Sequence, residues 1–183
     1  MTTADIKMAS IFIVFAFLSV FMTVAEGKAD QQFLLHDGAK MEDTRTGLEW
    51  AIDAGTPSFG KCNGGKKTWY EAADYVNCLN TSAYLGHNDW RIPSVKELSR
   101  LISKIAKTNK IEHNYDIAGP KLKELGFKNI KPSLYWSSVA TNEVALVVEV
   151  LTNGRFHPVG KLNTLYVWPV RGGRRERDLN TSR

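Results

Sequence analysis

The apolar residues of this chain change their spacing twice, and that change limits the folds open to it. Leu48, Trp50 and Ile52 alternate with polar neighbours, as a half-buried strand requires. From Trp69 the interval lengthens to helical spacing through Ala72, Ala73, Val76 and Leu79. A second helical stripe runs through Val95, Leu98, Leu101, Ile102 and Ile105. Beyond Leu134 the period returns to two, with strands expected at residues 135–139, 144–151, 155–159 and 165–170. Each helix is announced by a capping box, Thr68-Trp-Tyr-Glu71 and, after Pro93, Ser94-Val-Lys-Glu97, whose hydroxyl and carboxylate satisfy the first free amides. Asp43-Thr-Arg-Thr-Gly47 supplies the turn of a hairpin expected over residues 33–52, and Asn153-Gly154 is the strongest hairpin signal in the chain. Hairpin, two helices, then an antiparallel meander make an α+β domain, not an alternating α/β one.

Residues 53–67 hold Pro57 and four glycines and read as a loop. Residues 108–133, with Gly119-Pro120, Gly126 and Pro132, read as a long lysine-rich insertion with one helical turn at residues 121–125. Ahead of the domain, Ile11 to Ala25 form an uncharged apolar run, preceded by Lys7 and followed by small residues. That is the plan of a secretory signal peptide. At 15 residues the run is shorter than the roughly 20 that a spanning helix needs. The expected organisation is a signal peptide at 1–29, one domain at 30–172, and a disordered basic tail at 173–183. An exported protein, periplasmic or extracellular, keeps no membrane span once the signal is cleaved.

Export decides how the only two cysteines are read. In an oxidising compartment Cys62 and Cys78 pair with each other, stapling the 53–67 loop to the first helix. A reactive thiol or half of a metal site would need a companion, and the four histidines are scattered without ligand spacing.

Five segments in order resemble a known family. They are Asp43-Thr-x-Thr-Gly47-Leu-x-Trp50, Trp69-x-x-Ala72 with Cys78, Gly86-His-Asn-Asp89-Trp90-Arg91-Ile-Pro93-Ser-Val-Lys-Glu97-Leu98, Tyr135-Trp136-Ser137-Ser138, and a closing Val170-Arg171. Together they are similar to the Legionella collagen-like protein C-terminal domain family, the Lcl C-terminal domain, over roughly residues 40–172. The resemblance implies an extracytoplasmic domain of C-type-lectin-like architecture, often at a bacterial surface, and brings no catalytic residues with it. The adhesins that give the family its name imply recognition of a surface or glycan, by analogy only.

The residues themselves favour structural over chemical roles. Asp89 and Arg91 are expected to pair and set the chain entering the Ser94 helix, with Trp90 in the core. Calcium takes about six to eight oxygen ligands; Asn88-Asp89 offers too few, and the Glu-Pro-Asn motif of calcium-dependent lectins is absent. No metal or cofactor is expected. Ser137 and Ser138 lack a nucleophile elbow and are read as satisfying backbone groups at a strand end.

Binding is read from charge. The chain carries a net charge of +5, and residues 96–131 hold nine cations against four anions. Lys96, Arg100, Lys104 and Lys107 share one helix face, with Lys121, Lys123 and Lys128 following. The bland alternative is a solvated face. The functional expectation is a non-enzymatic domain that recognises an anionic glycan or envelope component. The rivals are an enzyme acting on an envelope polymer through Asp89, His87 or Glu97, and a structural or assembly protein of the envelope. Nucleic acid is disfavoured by export and by the lack of a binding motif.

Overall fold

A computed structural model describes residues 32–107, 118–150 and 154–173. The expected signal segment, the 173–183 tail beyond Gly173 and residues 108–117 of the expected insertion lie outside the described residues.

The architecture is α+β, with two antiparallel sheets and three α-helices among the described residues. Strands β1 (Phe33–His36), β2 (Lys40–Asp43) and β3 (Leu48–Ala51) form a meander. The expected hairpin is therefore a three-strand unit. Its extra turn is Asp37-Gly38, where both residues adopt positive φ (51° and 65°), the backbone demanded by a tight hairpin. The second turn forms as expected: the Asp43 carbonyl accepts from the amides of Thr46 and Gly47, and its carboxylate accepts from the Arg45 amide.

Helix α1 (Trp69–Thr81) begins at Thr68 with the complete capping box. It buries Ala72, Tyr75, Val76 and Leu79. Tyr75 stands in the core because its hydroxyl reaches the Pro57 carbonyl at 2.7 Å, which satisfies the one polar atom on the ring. A 3-10 turn (Tyr84–Gly86) leads to α2 (Val95–Lys107), whose apolar stripe packs as its spacing requires.

Helix α3 (Ala118–Glu124) lies where one helical turn is expected at residues 121–125, begins three residues earlier, and packs into the core. Ala118, Leu122 and Phe127 are buried in the main core, and the Lys128 backbone bonds to Ile52 and Ala54. The apolar residues between the lysines and the prolines are enough to dock this half of the segment.

Strands β4 (Leu134–Ala140), β5 (Val144–Glu149) and β6 (Phe156–Gly160) make the second sheet, in the order β4-β5-β6. Residues 151–153 lie outside the described residues, so the Asn153-Gly154 turn is seen only through Gly154 and the antiparallel β5–β6 pairing it joins. Residues 165–170, expected as the last strand of this meander, instead cross between the sheets. Leu165 and Tyr166 make single bridges to Lys67 and Tyr135, and then β7 (Val170–Gly172) pairs with β3, closing the order β1-β2-β3-β7. Pro169 has no amide to give a ladder and sits at the crossing.

One apolar cluster lies between α2, α3 and the first sheet, centred on Trp50 and Trp168 with ring centroids 5.5 Å apart. A second lies around α1, Trp90 and Trp136. Cys62 and Cys78 form the expected disulfide, Sγ–Sγ 2.03 Å, which ties the loop to α1. Among the described residues, no helix is long and apolar enough to cross a membrane.

Candidate functional site

Helix α2 turns Leu98, Leu101, Ile102 and Ile105 inward, which leaves Lys96 and Arg100 exposed and Lys104 half-buried on the other face. Opposite that face runs the β2–β3 turn, held by Asp43. Between them is a groove of about 580 Å³. Its floor is apolar, from Phe33, Leu48, Trp50 and Leu101, and Arg45, Arg100 and Lys104 supply cations along it.

Two carboxylates also line the groove, and both are already engaged. Asp43 accepts from Gln32 Nε2 at 3.0 Å and from the Arg45 amide at 3.2 Å. Glu97 accepts from both ends of the Arg91 guanidinium, at 2.8 and 2.7 Å, and from the Ser94 amide at 2.7 Å. Burial pushes the Glu97 carboxyl up, but the Arg91 and Ser94 hydrogen bonds outweigh it and leave the group below its ordinary value. Among the described residues, no carboxylate pairs with Arg100.

Of the seven cations singled out in the sequence, Arg100 and Lys104 line the groove, whereas Lys96, Lys121, Lys123 and Lys128 do not. Lys121 pairs with Glu124 at 2.6 Å, and Lys123 and Lys128 are exposed. Lys107 ends α2, and its side chain lies outside the described residues. Arg45 belongs to the Asp43–Gly47 turn, and nothing in the local sequence reveals that the turn faces α2.

The expected Asp89–Arg91 pair does not form. Asp89 accepts from Arg171 Nε at 2.7 Å, while Arg91 pairs with Glu97. The two charges flank Trp90, which is buried, donates its ring N–H to the Tyr84 carbonyl and has its backbone N–H and C=O held by the Asn80 amide. With Trp90 fixed this way and the Arg91 backbone bridged to Val170, each flanking charge meets a counter-charge on a different element.

Arg171 also donates to Glu49, which lies 3.2 Å from Lys40, and Lys40 Nζ lies 2.6 Å from His87 Nε2. The Arg171 hydrogen bond holds Asp89 below its ordinary value against a smaller burial effect. Desolvation, with Arg171 and Lys40 nearby, holds His87 low. Asp89 is thus held as a hydrogen-bond acceptor by Arg171, and Glu97 by Arg91 and the Ser94 amide.

Ser137, buried, donates from Oγ to the Leu146 carbonyl at 2.7 Å and accepts from the Val139 amide, filling the register shift in β4. Among the described residues, no group of three metal-ligating side chains occurs.

A model of the Lcl C-terminal domain matches residues 39–171. The chain belongs to that family. No curated protein matches it. In this Lcl C-terminal domain the segments that carry the resemblance are joints of the fold. Asp43 and Gly47 close the β2–β3 turn, Trp50 fills the core, Trp69 donates to the Ser137 carbonyl, and Trp136 donates to the Lys67 carbonyl. Asp89 and the closing Arg171 lock the Trp90 loop to the first sheet.

Proposed function

We propose that this Lcl C-terminal domain is an exported, non-enzymatic binding domain of C-type-lectin-like fold, and that it holds an anionic glycan or envelope component in the groove between α2 and the β2–β3 turn. The observation that carries this reading is the groove itself, in which Arg45, Arg100 and Lys104 stand over an apolar floor while the two neighbouring carboxylates are occupied by internal partners. Cations attract sulfate or carboxylate groups, and an apolar floor accepts the C–H face of a sugar ring; a groove with both matches an acidic saccharide better than a neutral one. Export is supported by the signal-like N-terminal sequence and by the disulfide.

The test is a glycan array carrying sulfated, uronic-acid and neutral oligosaccharides, followed by titration at rising salt. Binding to anionic glycans that weakens with salt, and falls at least tenfold in R100A/K104A without loss of thermal stability, is the expected result. Absence of binding to any anionic glycan at low salt overturns it.

A further inference from the structure

Lys161 is the only charged residue in the buried set among the described residues, 9% exposed. Its backbone is pinned on both sides: its N–H donates to the Glu143 carbonyl at 3.2 Å, and its carbonyl accepts from the Trp69 amide at 3.0 Å. The side chain lies back across α1, placing Nζ 4.3 Å from the centre of the Trp69 ring and 5.5 Å from that of Tyr70. Aromatic faces attract an ammonium but give it no hydrogen-bond acceptor.

Among the described residues, no carboxylate completes the arrangement. Glu71, on the same helix as Trp69 and Tyr70, is taken up by the capping box, accepting from the Thr68 amide at 2.7 Å and the Thr68 hydroxyl at 2.9 Å. Among the described residues Lys161 has neither an ion pair nor a hydrogen bond from Nζ, yet no fully buried side-chain nitrogen is left without a partner. Its ammonium is therefore not wholly sealed from solvent.

Exposed apolar surface stands on a ring it covers and on the next residue in sequence. Tyr70 is 51% exposed and edge-on to Trp69, and Leu162 is 80% exposed at the tip of the turn in which Asn163 bonds back to the Gly160 carbonyl. A fixed, unpaired cation beside an exposed aromatic ring is the complement of a ring-shaped anion. A pyranose packs its C–H face on such a ring while its carboxylate takes the ammonium protons in a charge-assisted hydrogen bond.

We propose that Lys161, Tyr70 and Leu162 form a second saccharide subsite, built on other elements than the α2 groove, that takes a hexuronate residue. It does not depend on the groove reading. Trp69 and Tyr70 report on it: both rings lie against Lys161, so amide shifts confined to them separate this subsite from the groove, whose floor includes Trp50.

The experiment titrates the folded protein with sodium glucuronate, glucose and sodium acetate at constant ionic strength, following tryptophan emission and one-bond amide NMR spectra. Saturable changes with glucuronate alone, weakened at least tenfold in K161M and at least threefold in Y70A and unaltered in R100A/K104A, are expected. The methionine stem keeps the packing on Trp69, and Y70A alters an exposed ring, so one variant remains informative if the other fails to fold. Equal binding of acetate, equal binding of glucose, no saturable response, or a response that survives both K161M and Y70A overturns the subsite. Loss of glucuronate binding in R100A/K104A would assign the ligand to the groove and overturn it as well.

Discussion

Arg91 grips Glu97 with both arms of its guanidinium, Nη1 to Oε2 at 2.8 Å and Nη2 to Oε1 at 2.7 Å, while the same carboxylate takes the Ser94 amide at the start of α2. One side chain thus caps a helix and fixes the strand-like segment entering it. Burial alone would raise the Glu97 carboxyl, but these hydrogen bonds bring it below 4.5. With the folded value depressed, the stabilisation is complete above the unfolded value and is lost as pH falls through the folded one. E97Q is expected to destabilise the domain by about 2 kcal/mol near neutrality, the scale of a hydrogen bond to a charged partner. Thermal melts from pH 7 to pH 3 should show a shallower acid decline in E97Q than in the parent. Parallel curves would show that Glu97 is not the group lost on acidification.

His87 gives a pH dependence in a different window. Its Nε2 faces the Lys40 ammonium at 2.6 Å, so the ring accepts there and carries its proton on Nδ1. Desolvation lowers its value below 6.5; Arg171 and Lys40 act the same way, and Glu49 and Asp89 oppose them. Neutral His87 is preferred in the fold, so its contribution is present above 6.5 and fades as pH drops through the folded value. An NMR titration is expected to place the His87 midpoint below 6.5, and K40M is expected to move it upward. A midpoint above 6.5 would mean that Glu49 and Asp89 dominate instead.

The difference between Asp89 and Arg91 shows where sequence reading ends. Both capping boxes, the Asp43–Gly47 turn, the α2 stripe and the Cys62–Cys78 pair were legible because each is set by residues near one another in the chain or by a count of two. The partner of Asp89 was not, since it is Arg171, 82 positions away; Arg91, left without Asp89, takes Glu97 six residues on. The fate of residues 165–170 was hidden for the same reason: alternation says strand but cannot say which sheet. Arg100 and Lys104 were visible as a charged helix face, yet the groove exists only because the Arg45 turn stands opposite, a tertiary fact. Lys161 is, in the sequence, a single lysine after a glycine, and only burial against Trp69 distinguishes it.

The loop of residues 53–67 is held by more than its disulfide. Thr56 is buried and its hydroxyl exchanges hydrogen bonds with the Val167 backbone, at 3.0 Å to the carbonyl and 2.7 Å from the amide. Gly64 lies so close beneath it that a Cβ would stand 2.2 Å from the Thr56 carbonyl oxygen and 2.7 Å from the Ser58 amide. G64A is therefore expected to destabilise by about 3 kcal/mol, the upper range of overpacking. C62S/C78S opens a loop of 16 residues' separation, and is expected to cost about 3 kcal/mol through the unfolded chain's entropy. Denaturant melts measure both. A near-neutral G64A would require the loop backbone to shift freely, against the hydrogen bonds that Thr56 makes.

Trp168 joins elements that are far apart in sequence. Its ring N–H donates to the Ala51 carbonyl at 2.8 Å, in the first sheet, while its ring meets Phe127 after α3 at 5.0 Å and Tyr135 of β4 at 6.0 Å between centroids. It is fully buried, so truncation leaves both a void and an unpartnered carbonyl. W168A is expected to cost about 4 kcal/mol, the range for a large aromatic in a core. W168F keeps most of the ring volume but deletes the donor, and is expected to cost about 2 kcal/mol, since Ala51 O remains buried without its partner. Against a total stability of about 5–15 kcal/mol for a domain, W168A removes a large share, and the crossing segment should lose amide exchange protection together with β3. If W168F matched the parent in denaturant melts, the ring packing alone would hold the two sheets together, and the hydrogen bond to Ala51 would be dispensable.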